Sequence, residues 1–318
     1  MITRTTNKNE RVSFSGFTQP DAGQFKDVNL FGKTVSVVDN EKYEWANTTH
    51  LHLKVTEACN ANCSFCVEHC QNRQDVASIA RYEEAAIKVI EEMKSKGLLQ
   101  TISITGGEPS LVLNRFSERF VKACETADGV YMNTNGTWLK DGNNTLKYAG
   151  LFNCINVSRH SVDEAQNAQT FGLDASALPT NAHLNALAGE RDLRLQCLLL
   201  NEDTENVDNW IDAFPNVKDF SFRQVIKNNE NTEAFELSKH KMETLIDFLK
   251  ENAELQEQVV QDNYVYETWI YRGVSVTVSF SDMTFLVENS PTLMREFILH
   301  PNLKFGGSWY SEDCLFSF

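Results

Sequence analysis

The chain has 318 residues and 42% hydrophobic content, enough for a sizeable core in one large domain or two small ones. Its formal net charge of −15 excludes a surface that tracks duplex nucleic acid, which needs a basic stripe to displace counterions, and reads as a well-solvated exterior. There is no run of 18 apolar residues, and the opening MITRTTNKNERVSF lacks the apolar core of a signal peptide; despite eight cysteines, the expectation is a cytoplasmic protein with reduced thiols and no membrane partner.

Residues 1–49 are polar at first and then give two short β-like pieces around Asn29 to Val38, too little apolar surface for an independent domain. They read as an N-terminal extension. From residue 50 strand signals alternate with helical ones, as βα units with a parallel sheet require. Strands are predicted at 51–56, 101–105, 129–134, 153–158, 193–200 and 218–225. Helices are predicted near 81–96, 113–127, 143–150, 180–190, 204–213 and 238–256. In the first of these, Ala85, Val89 and Met93, with Ile90 beside them, make a core-facing stripe at helical spacing.

Six such units predict an α/β fold, a partial (β/α)6 TIM-like barrel over residues 50–256. Polar residues occupy alternate positions on strand after strand: His52, Lys54 and Thr56; Thr101, Ser103 and Thr105; Asn133 and Asn135; Asn156 and Ser158; Arg194 and Gln196; Ser221 and Arg223. With helices outside, the apolar set has to face outward and the polar set has to line the lumen. Burying so many polar groups unpaired costs roughly 1–3 kcal/mol each, so the lumen is expected to be wet or to hold a polar ligand.

After residue 256, YVYETWIYRGVSVTVSF reads as a β-hairpin turning at Arg272-Gly273. Residues 257–318 are expected to be a C-terminal extension covering one end of the barrel, with a bend at Gly306-Gly307. The Asn-rich patches at 141–144 and 228–231 read as surface loops. Cys124, Cys154 and Cys197 sit singly in periodic segments, where a small buried hydrophobe is the expected role.

The stretch LHLKVTEACNANCSFCVEHC, residues 51–70, places Cys59, Cys63 and Cys66 at C-x3-C-x2-C directly after the first strand. Three thiols in one loop suit zinc or an iron–sulfur centre. For zinc, His69 or Cys70 would have to complete four ligands. For a cubane cluster, one iron would be left without a protein ligand; Cys70 is then a spare thiol.

With Phe65 in its aromatic position, this loop resembles the signature of the radical S-adenosylmethionine (SAM) superfamily, and TISITGGEPSL after the second strand resembles the same superfamily's GGE(P) motif. The resemblance implies that Cys59, Cys63 and Cys66 ligate a 4Fe-4S cluster whose open iron chelates SAM. It implies further that reductive cleavage of SAM gives a 5′-deoxyadenosyl radical, which takes hydrogen from substrate. Gly106, Gly107 and Glu108 then meet the SAM methionine and Phe65 lies near the adenine. Strand order puts Asn135 and Ser158 at the ribose and methionine, and Arg223 at the SAM carboxylate or an acidic substrate. Lys54, Arg159, His160 and Arg194 are candidate contacts to a polar, anionic or nucleotide substrate.

The implied electron donor is of the flavodoxin or ferredoxin type. Within the superfamily the segments are loosely similar to viperin and to molybdenum-cofactor synthases. A peptide-modifying maturase is the competing enzyme reading, weakened because Cys314 alone cannot hold a second cluster and residues 1–48 are short for a leader-binding module. A zinc or iron–sulfur protein without catalysis is the other alternative, and it gives the polar lumen no role.

Overall fold

A computed structural model describes residues 2–11, 25–39, 50–66, 77–140, 146–226, 232–261, 264–281, 292–294 and 296–318. His69, Cys70 and the Asn-rich patches at 141–144 and 228–231 lie outside them. Strand β1 (Ile2–Thr5) precedes a hairpin of β2 (Phe25–Leu30) and β3 (Lys33–Val38). That hairpin turns at Phe31-Gly32, both at positive φ. The Phe31 ring is held in its strained backbone position by edge contacts with Phe305, Phe316 and Phe318.

Six parallel strands follow, five of them with an α-helix after them among the described residues. Strand β4 (His50–Lys54) leads to α1 (Ile79–Ser95), β5 (Thr101–Thr105) to α2 (Glu118–Cys124), and β6 (Gly129–Thr134) to short 3-10 turns. Then β7 (Cys154–Ser158) leads to α3 (Glu164–Phe171) and α4 (Asn181–Ala188), β8 (Leu193–Leu198) to α5 (Val207–Ala213), and β9 (Asp219–Arg223) to α6 (Thr232–Asn252). Strands β10 (Glu254–Gln261), β11 (Tyr264–Tyr271) and β12 (Val274–Ser281) come next, and β13 (Leu293–Met294), β14 (Phe297–Leu299), β15 (Lys304–Gly306) and β16 (Phe316–Ser317) finish the chain.

Strands β4 to β9 lie side by side in chain order, each parallel to the next, which is the partial barrel the alternation implied. The C-terminal segment prolongs both edges of this sheet: β12 adds in parallel beside β9, and β14 adds in parallel beside β4. Antiparallel strands continue beyond, β11, β10 and β1 on one side, β15 and β16 on the other. The hairpin between β11 and β12 turns where expected, with Arg272 and Gly273 both at positive φ.

Two differences from the predicted elements have local causes. Helix α3 was not predicted; its signals are Asp163, whose side chain accepts from Gln166 N, and Gly172 at left-handed φ after the last turn. The last predicted helix ends at Asn252, and the residues after it pair as β10, whose alternating ELQEQVVQ carries a strand period. The expected helix at 143–150 is represented among the described residues by a 3-10 turn at Ala149–Leu151.

The outward faces of the parallel strands form the core. Leu51, Leu53, Ile102, Ile104, Val130, Met132, Ile155, Val157, Leu195, Phe220 and Phe222 are fully buried against the helices, each stabilising the fold by about 1.5–3 kcal/mol. The Ala85, Val89, Ile90 and Met93 stripe of α1 belongs to the same core. On the opposite face the polar side chains pair across strands. Asn133 Nδ2 donates to Ser103 Oγ at 2.9 Å, and Asn156 Nδ2 donates to Asn133 Oδ1 at 2.9 Å. Among the described residues no helix is long and apolar enough to cross a membrane.

Candidate functional site

The site is assembled where β4 and β5 run out of strand. Their parallel ladder continues into the loops: Val55 N donates to Thr105 O at 2.9 Å, Gly107 N to Thr56 O at 2.8 Å and Glu108 N to Ala58 O at 2.8 Å. The Gly-Gly-Glu turn is thereby clamped to the three residues that lead into Cys59. This close approach dictates the glycines. A Cβ on Gly107 would lie 2.1 Å from Ala58 O; one on Gly106, at φ +136°, would lie 2.3 Å from Thr56 O.

Glu108 is fully buried and fixes the rim. Its Oε1 accepts from Ser110 N at 3.0 Å and Thr134 Oγ1 at 2.8 Å, and its Oε2 accepts from Asn135 N at 2.8 Å. Burial pushes its pKa up and these hydrogen bonds pull it back. Asn135 passes the restraint on to the cysteine loop, donating from Nδ2 to Asn60 Oδ1 at 2.8 Å, while Asn60 Nδ2 donates to Thr137 Oγ1 at 2.9 Å. Glu108→Gln replaces one of the two oxygens by N–H2, which then faces either Asn135 N or the Ser110 N and Thr134 hydroxyl pair, so a loss of about 1–3 kcal/mol is expected in chemical denaturation.

On its other side the cysteine loop rests on α3. Asn62 N donates to Phe171 O at 2.7 Å, Gly172 packs on Asn62, and Cys59 and Cys63 lie against a small cluster of Ala61, Ala168, Phe171 and Leu178. The ring of Phe65 meets His160 edge-on at 5.1 Å, and His160 in turn meets Phe171 at 4.9 Å. His160 Nδ1 accepts from Leu198 N at 3.1 Å, which places its proton on Nε2. Burial, reinforced by the Arg159 charge, pulls its pKa down to about 3.

His160 is therefore neutral and supports Phe65 from beneath. A neutral native form means the unfolded chain binds more protons, so this contribution to stability is present above about pH 6.5 and is lost as pH falls towards about 3. His50, pulled down to about 4 by burial, adds to the same slope. Unfolding free energies measured from pH 7 to pH 4.5 are expected to fall by on the order of 1 kcal/mol per pH unit for each such group.

Cys59, Cys63 and Cys66 are half-buried neighbours without disulfides. Burial raises the Cys63 thiol to about 12, and negative charge on Cys66 and Cys59 adds to it; Cys59 is raised by burial, and the charges of Glu108 and Cys66 add to that. Ionising this set is unfavourable unless a cationic centre takes the charge. Among the described residues no three Cys, His or carboxylate groups are arranged to hold a metal ion. Three soft thiolates in one loop are a donor set that fits an iron–sulfur cluster.

The remaining candidates divide into two groups. Lys54 is buried at the end of β4 with its ammonium 6.0 Å from the Trp309 ring, and Ser158 and Arg223 end β7 and β9 at the same rim. Arg159 and Arg194 are placed elsewhere. Arg159 donates to Asn181 Oδ1 at 2.6 Å and packs over Phe214, on the helix side of the sheet. Arg194 pairs with Asp219 at 2.6 Å near the opposite end of the strands, in a cleft of about 230 Å³ that also exposes Cys154. Cys124 and Cys197 are core residues, as expected. Sequence reading missed Asn60, Thr134, Gly172 and Trp309; only Gly172 carried a local signal, as a helix-ending glycine.

Comparison with known proteins agrees with this site. Residues 53–177 match the Radical SAM superfamily, a span that contains the cysteine loop, the GGEP turn and α3. A "Probable GTP 3′,8-cyclase" of Sulfolobus acidocaldarius is 27% identical over 168 residues, 51% of this chain and 50% of that protein. One of Saccharolobus solfataricus is 32% identical over 127 residues, 39% of each. The matches thus span half or less of these relatives. Among solved structures, SuiB of Streptococcus suis bound to S-adenosylmethionine aligns over 82% of this chain and 58% of its own, with TM-score 0.52 and 13% identity, a likeness of fold. The cysteine loop, its glycine clamp and the family match coincide on the same residues, and it is this part of the chain, residues 53–177, that carries a radical SAM domain.

Proposed function

We propose that this chain is a radical SAM enzyme whose substrate is a nucleotide. The observation that carries the reading is the polar lumen directly beneath a clamped cysteine loop; the kinship with proteins named GTP 3′,8-cyclase supports the nucleotide. When bound, the cluster and SAM supply reductive cleavage of the S–C5′ bond and a 5′-deoxyadenosyl radical. Cys59, Cys63 and Cys66 would hold the cluster. The rigid Gly106-Gly107-Glu108 turn would present backbone to the SAM methionine, Phe65 would pack by the adenine, and Asn135 and Ser158 would line the ribose side.

The protein's own work is to orient and exclude water. Glu108 locks the β5 and β6 ends together, His160 fixes Phe65, and the core-backed sheet keeps the lumen wall rigid. Residues 50–256 are read as the catalytic unit, with 1–49 and 257–318 as extensions and a flavodoxin or ferredoxin as electron donor. The test is 5′-deoxyadenosine release by reconstituted, reduced enzyme with SAM and each of GTP, ATP, CTP and UTP. One nucleotide is expected to raise release at least about tenfold over the uncoupled background. If none does, the nucleotide reading is wrong.

A further inference from the structure

Three buried polar atoms on the lumen face have no partner among the described residues: His52 Nδ1, Arg223 Nε and Ser279 Oγ. They come from three strands. His52 is in the middle of β4, Arg223 at the end of β9, and Ser279 lies beside Arg223 in the parallel β9–β12 register. Ser279 is only 1% exposed, so bulk water does not serve it. Left empty, each orphan costs roughly 1–3 kcal/mol, and elsewhere on this face Ser103, Asn133 and Asn156 satisfy one another. His52, Arg223 and Ser279 thus carry unmet hydrogen-bonding capacity beside the paired Ser103, Asn133 and Asn156, as does Asp219 Oδ1 at the other end of β9.

Although β4 and β9 are the first and last of the six sheet strands, His52 and Arg223 feel each other. Burial holds the His52 imidazole well below its ordinary pKa, with the charges of His50 and Arg223 adding to the effect. The Arg223 guanidinium is therefore within electrostatic reach of His52. Beside His52 stands Trp309, from the C-terminal segment. Its ring lies 4.8 Å from His52 and 6.0 Å from the Lys54 ammonium, its Nε1 donates to Glu296 at 2.8 Å, and it keeps 40% of its surface open. Burial raises the pKa of Glu296, and the indole N–H and the Arg223 charge, also within reach of it, pull it back down; two cations, Arg223 and the buried Lys54, stand against this carboxylate.

We propose that His52, Arg223 and Ser279, with Trp309 as an aromatic wall, form a substrate subsite for a nucleoside phosphate. Arg223 and Ser279 take the phosphate, and the planar base lies against Trp309. A guanidinium with a free N–H edge and a hydroxyl donor match phosphate oxygens, and an indole with an open face matches a base. This assigns Arg223 to substrate in preference to the SAM carboxylate and gives the C-terminal segment a part in specificity. It rests on the nucleotide reading above, and the experiment separates the two.

Binding is measured on anaerobically reconstituted holoenzyme with SAM present, using GTP, ATP, CTP and UTP, the four nucleosides and inorganic tripolyphosphate. Arg223→Gln is expected to weaken the preferred nucleotide and tripolyphosphate at least about tenfold more than it weakens SAM, with the nucleoside little changed. Trp309→Ala is expected to weaken nucleotide and nucleoside alike, with binding restored in Trp309→Phe. A loss of SAM affinity in Arg223→Gln that equals or exceeds the loss for the nucleotide overturns the subsite and makes Arg223 a cofactor residue. If wild-type enzyme binds no nucleotide but binds tripolyphosphate through Arg223, the nucleotide reading fails and the anion site stands. Binding of neither sinks both.

Discussion

Alanine at any one of Cys59, Cys63 or Cys66 is expected to lower bound iron from about four atoms per reconstituted chain to below about one, and to abolish 5′-deoxyadenosine release. The loop that carries these thiols is held by contacts that do not involve them: the Asn62–Phe171 backbone bond, the Asn135–Asn60 bond and the ladder from Val55 to Glu108. Removing a half-buried sulfur therefore leaves the fold standing, with stability changed by no more than about 1 kcal/mol. The contrast is Cys124 and Cys197, both in the core. Alanine there is expected to cost about 1–3 kcal/mol through the cavity it leaves, with iron content and activity retained. Iron analysis and thermal melting of the five variants together separate ligands from packing residues.

The second large effect is expected at Gly107, which has no room for any side chain. Alanine would place a methyl 2.1 Å from Ala58 O and 2.6 Å from Ala58 C, both backbone atoms that no rotamer change can move aside. The clamp between Glu108 N and Ala58 O has to open, and Cys59 moves with Ala58. A loss of about 2–4 kcal/mol in stability and at least about tenfold in SAM affinity is expected for Gly107→Ala, from steric overlap of this kind. Gly106→Ala adds strain at φ +136° to a 2.3 Å contact with Thr56 O and should be as severe. By comparison, Gly150→Ala meets nothing within 4 Å and is expected to be neutral. Equilibrium denaturation and SAM titration of the three variants check this ordering.

The six-strand barrel and its hydrophilic lumen were legible because each central strand alternates cleanly, His52 and Lys54 against Leu51 and Leu53, for example, and a period of two assigns both faces at once. The cysteine loop and the glycine turn were legible as local spacing. What joins them was not. Glu108 reads as a motif member, yet its side chain is spent on Ser110, Thr134 and Asn135, partners set by how β5 and β6 end.

Arg159 and Arg194 looked like additions of positive charge near the mouth; Arg159 follows Ser158 and so falls on the helix side, and Arg194 sits one end of a strand away. Trp309 was invisible for a further reason. It lies more than 250 residues from His52 and Lys54 in the chain, and only the parallel addition of β14 beside β4 brings its segment to the lumen. Long-range pairings of this kind leave no periodic trace.

The central claim is that three neighbouring thiolates carry a redox-active centre that cleaves SAM. The direct test is anaerobic reconstitution with iron and sulfide, dithionite reduction, and quantification of 5′-deoxyadenosine and methionine formed from SAM. The account predicts about four irons per chain and equal yields of the two products over many minutes. A colourless protein holding one tightly bound zinc, with neither product formed, would contradict it.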